Sequence, residues 1–162
     1  MAYQPSSKLR TEMSFRREEW DLIVRLPGRI VVAATLAGPQ ASRRGVAPGL
    51  AGIDAMAAGR SSVSRLVRDV VTAIYDEGEG GEWAANPVTA TGEVVIACRS
   101  AAGVLAERVG REDADAYRHW IEAIAARVCH ASRGTDLLGF GGPPVSESEW
   151  HFLAELAAAF DR

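Results

Sequence analysis

The chain has little of what usually announces chemistry. Its two cysteines, Cys98 and Cys129, are too few for a disulfide framework. Both fall on the apolar side of an expected helix, where a thiol behaves as a small hydrophobe. No apolar run approaches membrane-spanning length, since the longest, Ile30 to Ala37, is far too short. No basic start leads into an apolar stretch and a small-residue cleavage site, so a cytoplasmic location is expected. Charge of one sign is also lacking. A net charge of −3 argues against a general nucleic-acid binder, whose affinity rests on a clustered basic surface. Lys8 is the only lysine, which carries no functional weight here.

Catalytic patterns are missing as well. There is no Gly-x-Ser-x-Gly elbow and no His-Glu-x-x-His pair. The sequence therefore assigns no catalytic residue and implies no cofactor.

What is present is alanine-rich helix. Hydrophobic residues make up 48% of the 162 residues while aromatics are only 7%, a balance that suits closely packed helices. A chain of this size buries roughly 70% of its unfolded surface, enough for one independent core. The valines and isoleucines recur at three- and four-residue spacing and do not alternate with polar residues, so they read as helix core and not as strand.

The expected architecture is all-α, a single compact bundle of about six helices. Residues 1–14 read as a mobile tail and 15–162 as the helical domain. Trp20, Ile23, Val24, Leu26, Ile30, Val31 and Ala34 mark the first helix, which Pro27 and Gly28 are expected to kink or break. A short helix spans Pro48 to Ala58, with proline in its first turn and Gly59 closing it. Val63, Val67, Val70 and Ile74 mark the next buried face, and a flexible acidic linker is expected at 76–86, with Trp83 beside it as an exposed anchor. Val94, Cys98, Ala101, Leu105 and Val109 predict a fourth helix ending at Gly110. Tyr117, Trp120, Ile121, Ile124 and Val128 predict a fifth.

The last helix has the clearest start. Ser146 and Glu149 are placed to form a capping box, each satisfying a backbone N–H of the other. Trp150, Leu153, Leu156, Ala157 and Phe160 are its expected apolar stripe.

Several segments invite a functional reading. Ala55 to Arg65 is reminiscent of a helix-turn-helix, but Asp54, Arg65 and Arg68 fall where such a motif buries apolar residues. Asp115, His119 and Glu122 share a helix face at i, i+4 and i+7 and are candidate metal ligands, against the simpler reading of a salt-bridged solvated face containing Arg118. His130 and His151 are isolated. The acidic linker lacks the ligand spacing of an EF-hand. The loop Gly139–Gly142 is separated from its helix by Pro143 and Pro144 and followed by Glu147 and Glu149, which disfavours phosphate.

Two segments, Trp20 to Ala37 and Val145 to Phe160 with its glycine-rich lead-in, resemble TerB-like domains, helical proteins of tellurite resistance and stress. Ser146, Glu147 and Glu149 ahead of Trp150, Phe152 and Leu153 match that family's Ser-Glu-x-Glu helix start. The resemblance implies an all-helical fold, with Glu147 and Glu149 as candidate ligands for a divalent ion. The chain departs from the family where an Asp-Gly turn and following acids are associated with metal. It has Ala37-Gly38-Pro39-Gln40 and then Arg43-Arg44, which removes those ligands.

Surplus apolar helix faces become interfaces, so the leading expectation is a non-catalytic module acting through protein interaction or self-association. The alternatives are a TerB-like stress or ion-binding domain, and a regulator touching DNA through Arg60, Arg65 and Arg68. No membrane contact is expected.

Overall fold

The computed structural model describes residues 11–12, 14–38, 46–78, 91–132 and 145–161. Among these the chain forms six α-helices and no strand: α1 (Arg17–Ala37), α2 (Ala47–Ala58), α3 (Arg65–Gly78), α4 (Thr91–Arg108), α5 (Arg111–Ala131) and α6 (Glu147–Phe160). A short 3-10 turn, Gly59–Ser61, links α2 to α3. The two longest helices, α1 and α5, form the central pair, and each touches all the other helices. Ile23, Leu26 and Ile30 of α1 meet Tyr117, Ile121 and Ile124 of α5 in a core that α3, α4 and α6 complete with Val67, Leu105 and Leu156.

Helix α1 runs unbroken through Pro27 and Gly28, so the chain does not break there. Proline removes the N–H that would bond the carbonyl of residue i−4, here Ile23. The structure replaces that donor: the Tyr117 hydroxyl donates to the Ile23 carbonyl at 2.7 Å inside the core. Burial pushes the Tyr117 phenol well above its ordinary range, so it remains a protonated donor.

The start of α1 is tied to the end of α4. Glu19 Oε2 accepts from the Arg16 backbone N–H at 2.8 Å, and the Arg108 guanidinium donates to both Glu19 oxygens at 2.9 Å. The Arg108 hydrogen bonds, with that backbone N–H second, hold the Glu19 carboxyl below its usual range. The unfolded chain therefore takes up this proton at higher pH than the folded one. The stabilisation is complete above the unfolded carboxylate range and is lost as pH falls through the lowered folded value. Urea titrations across the acid range are expected to show a shallower loss of stability with falling pH in Glu19→Gln than in the native chain; equal slopes would contradict this.

The chain is already anchored before α1. Thr11 Oγ1 donates to Asp69 Oδ2 of α3 at 2.5 Å, and the Ser14 and Phe15 N–H groups close a turn onto the carbonyls of Thr11 and Glu12. The tail expected at 1–14 is therefore held at Thr11, Glu12 and Ser14; positions 1–10 and 13 lie outside the described residues. The 76–86 linker is corrected similarly. Residues 76 to 78 continue α3, and the rest of that stretch, with Trp83, lies outside the described residues.

Two buried faces are rotated from the expected ones. In α3 the inward residues are Leu66, Val67, Val70 and Val71, whereas Val63 is 97% exposed. Ser64 Oγ accepts from the Val67 N–H and itself donates to Asp113, so the helix starts after Val63 and leaves it in the turn. In α6 the inward residues are Glu149, Phe152, Leu156, Ala159 and Phe160, while Trp150 is exposed. Trp150 and Phe152 lie on opposite sides of a helix, and Ser148 Oγ donating to the Ala37 carbonyl at 2.9 Å fixes the rotation that buries Phe152. The capping box itself forms as expected, with Ser146 N–H to Glu149 Oε2 at 2.9 Å and Glu149 N–H to Ser146 Oγ at 3.3 Å.

Candidate interaction surface

Helix α2 is apolar on every side. Its only charged residue is Asp54, and Pro48 near its first turn begins it without a missing hydrogen bond. A helix with no polar face is ordinarily buried all round. This one is covered only on its inner side.

The inner side docks by backbone approach. A Cβ at Gly52 would lie 2.6 Å from both γ-methyl carbons of Val31 and 3.1 Å from Val128, so only glycine lets α2 sit this close to α1 and α5. At the other end a Cβ on Gly59 would meet the Trp120 ring and Val71 at 2.8 Å. Gly59 has φ −59°, so close approach and not backbone conformation calls for glycine there. The Gly59 N–H turns back to the Met56 carbonyl, and Trp120 Nε1 donates to the Ala55 carbonyl at 3.2 Å. These contacts fix how α2 is rotated about its axis.

That rotation turns Val46, Leu50 and Ile53 outward, 73%, 56% and 36% exposed, at i, i+4 and i+7 along one face. The other exposed large apolar residues fall singly: Val32 on α1, Val63 in the turn before α3, Tyr75 on α3, Ile96 on α4 and Trp150 on α6. Tyr75 is also covered by the Arg60 guanidinium, 4.0 Å above its ring centre. Scattered single residues are ordinary surface, and a stripe along one helix is not.

The residues singled out from sequence are dispersed. Asp115 is exposed and loosely paired with Arg111 at 3.7 Å, Glu122 is held by Arg118 at 2.9 Å, and His119 between them is exposed. Glu147 is exposed at the start of α6, whereas Glu149 is 1% exposed. Glu149 Oε2 accepts from both the N–H and the hydroxyl of Ser146, and its Oε1 is buried without a hydrogen-bond partner. Among the described residues no three His, Cys, Asp or Glu side chains gather as a metal site would require.

Of the arginines considered for DNA, Arg60 covers Tyr75, Arg65 leans on Asp69 at 3.7 Å, and Arg68 donates to the carbonyls of Ser62 and Val63. Asp54 is exposed and occupies no core position. Both cysteines are buried, and burial raises the Cys98 thiol to about 12, which leaves it inert as a nucleophile. The Gly139–Gly142 loop lies outside the described residues. Sequence reasoning missed the outward stripe of α2. Its signal was a twelve-residue helix with one charge.

Among the described residues the chain is an all-α bundle with an exposed apolar stripe along α2, and no described helix is long and apolar enough to cross a membrane. No protein-family model, curated protein or solved structure matches the chain.

Proposed function

We propose that the protein is a non-catalytic self-association module in which the outer face of α2 packs against the same face of a second copy. The observation that carries this reading is the stripe Val46, Leu50 and Ile53 on a helix whose inner side is already locked to α1 and α5. The occupant is a second copy because the stripe carries almost no charge. A two-fold contact sets each face against itself, and a face whose helix holds only Asp54 meets little like-charge repulsion there. A partner selected by electrostatic complementarity would find little to recognise on it.

The pair Leu50→Glu with Ile53→Glu tests the reading, because both side chains point to solvent in the single chain and their loss leaves the core intact. We expect native helicity and an unchanged melt of the isolated chain, with self-association weakened by about a hundredfold or more, the effect of charge at the centre of an interface. Unchanged association in this variant overturns the proposal.

A further inference from the structure

A second feature, independent of α2, lies where α4, the first half of α5 and the end of α6 meet: a cleft of about 670 Å³, none of whose lining residues belongs to α2. That size is within the range of small-molecule sites. It exists because α4 presents Ala102, Gly103 and Ala106 to it, side chains too small to fill the space. Buried Leu105 and Phe160 give it an apolar floor.

The rim is charged, and its charges are unequally satisfied. Arg118 is held by Glu122 at 2.9 Å and by Asp161 at 2.5 Å, and both bonds raise its pKa, the Glu122 bond most. Arg111, 93% exposed, leans on Asp115 at 3.7 Å, a loose pairing that solvent screens. Arg99 also lines the cleft and has no ion pair or hydrogen bond among the described residues. The cleft therefore offers one uncompensated guanidinium, a second that is readily redirected, and an apolar floor.

We infer that this cleft binds a small monocarboxylic acid with an apolar chain, its carboxylate on Arg99 and Arg111 and its chain over Leu105 and Phe160. A guanidinium fork matches a carboxylate in two parallel hydrogen bonds. A single negative charge fits the single uncompensated positive one. A dianion such as a phosphate monoester would meet Asp115 and Asp161 on the same rim.

Octanoate is the probe, with octanol and octylamine as matched controls, read by calorimetry and by melting temperature. Saturable octanoate binding with a concentration-dependent rise in melting temperature is expected, because a ligand selective for the folded state stabilises it by mass action. Neither control should match it. Arg99→Gln is expected to weaken octanoate by about tenfold, the loss of one charge-assisted contact. A Cβ on Gly103 meets nothing within 4 Å, so Gly103→Leu should fill the cleft without disturbing the fold. That variant is expected to melt no lower than the native chain and to lose octanoate binding. Absence of saturable binding, equal binding of octanol, or unchanged binding in both variants overturns the inference.

Discussion

Gly52→Val is expected to lower the stability of the folded chain by about 2–3 kcal/mol, the range for forcing atoms into a packed core. In a chain of this length that is a fall in melting temperature on the order of 5–10 °C. The cause is local. The first added carbon already lies 2.6 Å from two methyl carbons of Val31 and 3.1 Å from Val128, and Val31 is β-branched with little rotamer freedom to withdraw. The remaining carbons of valine have nowhere to go unless α2 lifts from α1 and α5. Gly49 is the control: it is in the same helix, a Cβ there meets nothing within 4 Å, and Gly49→Ala should be neutral or stabilising. Equal melting temperatures for Gly52→Val and the native chain would show that α2 is not docked by this close approach.

Tyr117→Phe is expected to destabilise by about 1–3 kcal/mol by leaving the Ile23 carbonyl buried without a donor. The size alone would not identify the mechanism, because any buried hydroxyl could matter. The partner substitution does. Pro27→Ala restores an N–H at position 27, which a continuous α1 aims at the Ile23 carbonyl. Combined with Tyr117→Phe it should therefore recover part of the loss, with a coupling of about 1 kcal/mol in a double-mutant cycle. Strict additivity would mean that the hydroxyl at 2.7 Å does not replace the helix bond removed by proline.

The all-α class and most of the core were legible in the sequence because helical periodicity is a local signal. Tyr117, Ile121, Ile124 and Val128 of α5 are buried as their spacing predicts, as are Val94, Cys98, Ala101 and Leu105 of α4. The capping box at Ser146 and Glu149 was equally legible, being decided within four residues. What periodicity misjudged was decided by partners distant in sequence. Pro27 reads as a helix breaker until Tyr117, 90 residues on by numbering, supplies the missing donor. Trp150 reads as core until Ser148 is found bonded to the Ala37 carbonyl, which rotates α6 and sends Phe152 inward.

The candidate surface was less legible. A helix with a uniform apolar pattern has no direction written into it, and only the positions of Gly52 and Gly59 against Val31 and Trp120 settle which side of α2 faces out. The residues with chemical side chains, Asp115, His119 and Glu122, were easy to single out. In the fold Asp115 and Glu122 serve separate arginines, a pairing their common helix face could not disclose.

The most direct test of self-pairing through α2 is the solution mass of the native protein by sedimentation over a wide dilution series. The account predicts a species of twice the 17.3 kDa chain mass that dissociates on dilution. A 17.3 kDa monomer at every concentration would contradict it.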